Sequence, residues 1–224
     1  EWLNINGYVP LPPYIKRTNL NPAVNSHDKY TYQTVYARKA GSSAAPTAGL
    51  HFTLQLMNKL QQKGIEITYV TLHVGGGTFL PVKVSNLDEH HMHSEKYFIA
   101  KSNLNKIIEA KRKGYKIINV GTTTLRCLES FAIMADYDIH KMINYADKWL
   151  TTSLFIRPSH ERPIYNPFFC DALITNFHQP KSTLFILISA LFGLESIKKL
   201  YQIAIEQKYR FFSYGDACLL WKNL

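Results

Sequence analysis

A chain of 224 residues, 46% apolar and 19% charged, is long enough for one large domain or two small ones with a real core. With only ten Pro and eleven Gly, the composition excludes collagen-like, mucin-like and wholly disordered classes. Twenty-six Lys+Arg against 16 Asp+Glu leave a net charge of +10, which suits a polyanion: nucleic acid first, an anionic membrane surface second. Simple solubility explains the same excess.

Cys127, Cys170 and Cys218 are odd in number, far apart and without a CxxC pair. That disfavours a disulfide scaffold or a Cys-type zinc site and fits a reducing cytoplasm. The longest apolar run, Leu184 to Leu194, is too short to span a bilayer, and no leader pattern opens the chain. The expectation is a soluble cytoplasmic protein.

Pro10, Pro12 and Pro13 forbid regular helix near the start, so residues 1–30 read as an extended arm followed by a polar surface loop. Leu54, Leu56, Met57 and Leu60 make an apolar stripe that predicts a helix over Thr53–Lys63. Ile65–Val74 reads as a β-branched strand, and Ser102–Lys113 as a second helix. Tyr115–Val120 is strand-like, and a third helix starts near Thr123. Residues 135–169 read as irregular, with His160–Pro167 as exposed loop. Cys170–Asn176 is an apolar strand, Ser182–Gln207 a long helix open to a break near Gly193, and Tyr209–Trp221 supplies one closing strand. Helices alternating with buried strands predict an α/β fold with much parallel pairing.

In such folds ligands gather at the carboxyl ends of strands, and three predicted ends are well furnished. The first runs Leu72-His73-Val74-Gly75-Gly76-Gly77-Thr78-Phe79, where glycines let backbone N–H groups approach a ligand. A bulged turn explains it equally well, and the spacing fails as a dinucleotide fingerprint. The second, Val120-Gly121-Thr122-Thr123, leads into a helix whose N-terminus could hold an anion. Arg126 and Glu129 stand three apart on that helix and read most simply as a surface salt bridge. The third end holds Asn176, His178, Pro180, Lys181, Ser182 and Thr183. It lacks the glycines of a P-loop, which leaves an anion or proton-transfer site, or an ordinary helix cap.

His90, His93 and Glu95 form HxxHxE, which could ligate a metal but matches no common zinc spacing. Surface hydrogen bonds or substrate contacts are the simpler account. In Tyr209-Arg210-Phe211-Phe212-Ser213-Tyr214-Gly215-Asp216, rings beside cations could stack splayed RNA bases. For Phe211 and Phe212, filling the core of the closing strand is preferred.

An ordered series runs through the chain: Pro10-Leu11-Pro12-Pro13-Tyr14-Ile15, Tyr32-Gln33-Thr34-Val35-Tyr36-Ala37, and Ala45-Pro46-Thr47-Ala48-Gly49-Leu50-His51-Phe52. It continues through Leu72–Phe79, His90 with Met92–Glu95, Val120–Thr123, Arg126 with Leu128-Glu129, Asp171–His178, Pro180–Thr183 and Tyr209–Ala217. Together these blocks resemble the S-adenosylmethionine:tRNA ribosyltransferase-isomerase family of queuosine biosynthesis. Arg157–Glu161 departs from that family's usual Tyr-Pro-Gly turn, while Gly76 and Leu80 are tolerable variations.

The resemblance implies a mostly parallel, barrel-like sheet flanked by helices and incomplete at the N-terminus. On this view residues 1–224 form the C-terminal part of the catalytic α/β domain, without the family's N-terminal segment and inserted β-barrel. It implies transfer and isomerisation of the ribosyl moiety of S-adenosylmethionine onto 7-aminomethyl-7-deazaguanine at the tRNA wobble position. Epoxyqueuosine forms; adenine and methionine leave. S-adenosylmethionine is a substrate here, tRNA the partner, and no metal or membrane is implied; a monomer is expected, with or without a separate N-terminal piece.

Such chemistry needs acid/base groups with tuned pKa values. By chemistry, His51, His73, His178 and Asp216 are the catalytic candidates, with His93 and Glu129 also able to exchange protons. Substrate-binding candidates are Gly75, Gly77, Thr78, Gly121, Thr122, Thr123, Arg126, Glu129, His93, Glu95, Asn176, Lys181, Ser182, Arg210 and Tyr214. A catalytically inactive, truncated tRNA-binding remnant and a metal-dependent hydrolase using His90, His93 and Glu95 are the rival readings.

Overall fold

A computed structural model describes residues 7–17, 22–75, 82, 84, 86–159 and 163–222. Seven α-helices and two three-stranded sheets are present among them. In chain order the elements are α1 (Pro22–Thr31), α2 (Leu54–Gln62), β1 (Thr71–His73), β2 (Glu95–Phe98), α3 (Lys101–Arg112), β3 (Ile118–Val120) and α4 (Thr122–Met134). There follow α5 (Ile139–Met142), β4 (Trp149–Thr152), β5 (Ala172–Asn176), α6 (Thr183–Phe192), α7 (Leu194–Glu206) and β6 (Ala217–Trp221).

The first sheet, ordered β1-β2-β4, is antiparallel throughout. The second, β3-β5-β6, pairs β3 with β5 in parallel and β5 with β6 antiparallel. The fold is therefore mixed α/β, and the expectation of mostly parallel pairing is corrected. Alternation explains why: Glu95 and Tyr97 of β2 are buried while Lys96 is exposed, the pattern of a sheet with one solvated face. Strands this short pair only where a neighbour exists. Ile65 and Tyr69 are exposed, so the predicted ten-residue strand shrinks to Thr71–His73.

Residues 22–31 are helical, which corrects the reading of 1–30 as arm and loop. Pro22 sits at the first helical position, where its missing N–H is no loss. Asp28 on this helix is buried and accepts two hydrogen bonds from Arg17, at 2.6 and 2.9 Å. The predicted long C-terminal helix divides at Gly193, whose φ of 83° ends α6 and starts α7. Residues 135–169 hold α5 and β4 rather than being irregular throughout. The closing strand is confined to Ala217–Trp221.

Helix α4 joins the two cores. Cys127, Leu128, Phe131 and Ala132 pack with Tyr97, Ile99, Leu104 and Ile107 beneath the first sheet. Leu125, one turn earlier, packs with Leu173, Phe177, Leu187 and Ile188 against the second. The helix enters from Gly121, whose φ of 88° is disfavoured for any residue with a Cβ. Its start is pinned to β5 by the Gly121 N–H, which donates to the Ile174 carbonyl at 2.8 Å.

Candidate functional site at three strand ends

The ends of β1, β3 and β5 are bridged by one segment, residues 41–51. Ser43 N–H donates to the Val74 carbonyl at 3.0 Å, and Val74 N–H donates to Ser42 Oγ at 2.8 Å, which ties the segment to the end of β1. Ala48 lies against Gly121, the residue after β3. At β5, Thr47 Oγ1 donates to Asn176 Oδ1 at 2.8 Å, and Asn176 Nδ2 donates to His51 Nε2 at 3.3 Å. This contact joins the His51 imidazole to the buried amide through Nε2. Asn176 is buried and both ends of its amide are used, so its orientation is determined by the segment facing it.

Beside Asn176 opens a cleft lined by Tyr14, Thr47, His178, Gln179, Ser182 and Phe212, among others. The Pro-rich arm supplies Tyr14 through a turn in which the Ile15 N–H donates to the Pro12 carbonyl. The Tyr14 ring stacks on Phe212 with centroids 4.7 Å apart and planes 25° apart. Its hydroxyl lies 2.6 Å from Ser213 Oγ, which also meets the Tyr32 hydroxyl at 3.2 Å. Phe212 is 38% exposed with φ of 73°, so it is part of this aromatic shelf and not core filling. Phe211 is the ring that packs inward, against Phe177 and Tyr201. Tyr14, Thr47 and Ser213 line the cleft although sequence reasoning did not select them; all three lie inside the ordered blocks, which was their only signal.

His178 is buried, and its Nε2 lies 2.7 Å from Thr175 Oγ1. Its own N–H donates to the Tyr201 hydroxyl at 2.7 Å. Burial pushes the imidazole down to about 4, so it is neutral at pH 7 rather than poised near neutrality. Asp216 is engaged as well: Arg210 donates to it from both Nη2 and its backbone N–H, each at 2.8 Å. Those bonds, with smaller electrostatic help from Arg210 and His51, hold its carboxyl below the usual range. Tyr214 is exposed, its hydroxyl 3.1 Å from Thr31 Oγ1 and its ring edge-on to Tyr32.

At the start of α6, Ser182 caps the helix by accepting from the Phe185 N–H at 3.1 Å. Lys181 is exposed with φ of 59°, and its carbonyl accepts from the Val82 N–H at 2.9 Å. This contact secures the chain just beyond the glycine run against the third strand end. Gly77 and Thr78 lie outside the described residues.

His73 is held by packing. Its ring stacks on Trp149 at 4.8 Å and 15°, while a Cβ on Gly41 would fall 2.6 Å from its Cε1. Gly41, with φ of 135°, thus lets residues 41–43 cross the imidazole edge.

Arg126 and Glu129 are buried and face different partners, which corrects the surface salt bridge. Arg126 Nη1 donates to Glu95 Oε2 at 2.8 Å, and its Nε donates to the Leu154 carbonyl. Glu95 also accepts from the Gly75 N–H at 3.3 Å, so the pair ties the glycine run to α4. Glu129 accepts from Tyr165 Oη and the Phe168 N–H at 2.8 Å each, and from Tyr137 Oη at 3.2 Å. It anchors the segment leading into β5. His93 is exposed, and His90 lies against Phe155, so neither shares the direction of Glu95. Among the described residues no three His, Cys, Asp or Glu side chains assemble as a metal site. Thr122 and Thr123 are buried at the start of α4. No helix among the described residues is long and apolar enough to cross a membrane.

The chain is similar to known proteins over most of its length. Residues 1–220 match the family model described as queuosine biosynthesis protein. The chain is 48% identical over 220 residues to the S-adenosylmethionine:tRNA ribosyltransferase-isomerase of Treponema denticola, covering 98% of this chain and 59% of that protein. The enzyme of the same name from Rickettsia bellii is 47% identical over 224 residues, covering all of this chain and 59% of its own length. A crystal structure of S-adenosylmethionine tRNA ribosyltransferase from Thermotoga maritima superposes with a TM-score of 0.57 at 37% identity. That match covers 77% of this chain and 51% of the Thermotoga protein. The chain thus spans about three-fifths of the length of the curated relatives it matches, 59% in each case given. On the strength of the family match over nearly its whole length, the chain belongs to the queuosine biosynthesis protein family.

Proposed function

We propose that the chain carries the strand-end site of an enzyme that transfers and isomerises the ribosyl moiety of S-adenosylmethionine onto 7-aminomethyl-7-deazaguanine at the wobble position of tRNA. Adenine and methionine are the other products, epoxyqueuosine the modified base. The observation that carries the reading is the meeting of Thr47, His51 and Asn176 beside an aromatic-walled cleft, in a chain of this family.

The chemistry fits these groups. The sulfonium acidifies the adjacent ribose carbon, and a neutral imidazole is a suitable proton acceptor. His51, exposed and in contact with Asn176 beside the cleft, is the candidate base, whereas the burial that pushes His178 down to about 4 makes that imidazole a poor proton acceptor. The Tyr14–Phe212 shelf offers a flat apolar surface for the adenine ring. The N-terminus of α6 at Ser182, with Lys181 beside it, suits the methionine carboxylate. His73, Asp216, Gly75, Gly121, Thr122, Thr123 and His93 are the further candidates of this reading, while Gly77 and Thr78 lie outside the described residues. Glu95, Arg126 and Glu129 act by holding its loops. The enzyme works as a cytoplasmic monomer.

The test is incubation with S-adenosylmethionine and hypomodified tRNA, with and without a polypeptide supplying the remaining part of a full-length relative. Adenine and methionine released in equal amounts, with epoxyqueuosine in the tRNA digest, are the expected result. Salt-sensitive tRNA binding with no turnover in either arm supports the second reading, an inactive tRNA-binding protein, which the net charge of +10 motivates.

A further inference from the structure

The first sheet has two unlike faces. Register places Thr71, Phe98 and Trp149 in one row and His73, Lys96 and Thr151 in the next, all on the side opposite Leu72, Tyr97 and Leu150. The second set packs on the core, where Tyr97 is fully buried. The first set carries no carboxylate.

On this outward face the rings are ordered into a platform. Trp149 is 47% exposed, stacks on His73 at 4.8 Å, and meets Phe98 at 5.5 Å with planes 45° apart. Lys39 reaches over the platform, its Nζ 4.1 Å from the Phe98 centroid and 5.5 Å from that of Trp149. Lys96 is exposed in the next row. A folding role accounts poorly for this, since an indole half open to water forgoes much of the free energy of burial. A half-exposed indole with one cation over the adjoining Phe98 ring and another in the next row, and no carboxylate in either row, matches an unpaired nucleobase flanked by phosphates.

We propose that this face is a stacking platform for an unpaired base of the RNA substrate, with Trp149 as the stacking ring and Lys39 and Lys96 meeting the adjacent phosphates. The inference rests on the RNA reading above and deepens it. Because His73 is shared between the platform and the β1 strand end, a base stacked on Trp149 lies at the margin of the candidate site.

The experiment measures binding of a fluorescein-labelled anticodon stem-loop RNA hairpin, and of a fully paired RNA duplex of equal length, by anisotropy across a salt series. It uses the unaltered chain, Trp149→Ala, Trp149→Phe and the double variant Lys39→Gln/Lys96→Gln. Trp149→Ala is expected to weaken hairpin binding by about tenfold or more and duplex binding by less than twofold. Trp149→Phe, which keeps a ring, should stay within about threefold of the unaltered chain. The double variant should lower the slope of log affinity against log salt by about 1 to 2.

Hairpin affinity unchanged in a folded Trp149→Ala chain overturns the platform and assigns the face to a protein neighbour, while the RNA reading stands. Equal losses for hairpin and duplex overturn it too, since a duplex presents no free base. If Trp149→Ala unfolds, as circular dichroism would show, the Phe variant decides: loss well beyond threefold in a folded chain overturns the platform. An unaltered chain that binds neither RNA overturns both this inference and the RNA reading.

Discussion

Arg126 Nη1 and Glu95 Oε2 lie 2.8 Å apart with both side chains almost wholly removed from solvent, 3% and 2% exposed. Charges so placed are a structural commitment, because each depends on the other to offset its lost hydration. Glu95 extends the contact to the Gly75 N–H, and Arg126 extends it to the Leu154 carbonyl. The pair thus couples the end of β1 to α4 and to the chain after β4.

Removing one partner should therefore cost more than removing both. Arg126→Met is expected to lower unfolding stability by about 3–5 kcal/mol, and adding Glu95→Gln should recover part of that loss. Urea unfolding of the two singles and the double measures the coupling. Additive losses, or a single-variant cost below about 1 kcal/mol, would contradict a buried pair.

Asn176 should govern donor binding more than folding. Asn176→Ala removes the partner of both Thr47 and His51 and frees the latter's imidazole. S-adenosylmethionine affinity is expected to fall about tenfold, near 1.4 kcal/mol, by titration calorimetry. Affinity unchanged in a folded variant would remove Asn176 from the donor site.

His178 makes stability depend on pH in a defined window. Its folded-state value of about 4 lies below the ordinary 6.5, so the unfolded chain takes up a proton that the folded chain refuses. Stability is therefore complete above pH 6.5 and declines as pH falls towards 4, by up to ~3 kcal/mol from this group. His178→Gln, neutral throughout, should flatten that part of the profile in chemical denaturation at pH 7, 5.5 and 4.5. An identical slope in both chains would show that His178 is not the group responsible.

Phe212 separates backbone strain from ring contact. With φ of 73° it occupies a conformation that glycine accepts and alanine does not. Phe212→Gly should thus unfold at a higher temperature than Phe212→Ala, by the equivalent of about 1 kcal/mol. Both lose the shelf with Tyr14 and should bind the donor more weakly. Equal melting temperatures would argue that the backbone relaxes when the ring is removed.

Periodicity located most helices well: the stripe at Leu54, Met57 and Leu60 predicted a helix whose observed span is Leu54–Gln62, capped by Thr53. Strand type was legible and strand pairing was not, because β1 and β3 end where their neighbours end, which no local pattern encodes. Arg126 and Glu129 were visible as a pair on one helix, yet their partners, Glu95 and Tyr165, come from segments more than thirty residues away. The same holds for Thr47 and Asn176, 129 residues apart. Helix α1 was obscured by its polar, turn-rich composition, which reads as surface loop because no apolar stripe marks a buried face.

The proposed activity passes the ribose of S-adenosylmethionine, and not its methyl group, to the wobble base. Parallel incubations with ribose-labelled and methyl-labelled donor, the tRNA then digested and counted, test it directly. Label from the ribose alone in the modified nucleoside is the expected result. Methyl label in the tRNA, or no transfer from either donor with the complementing polypeptide present, would contradict the account.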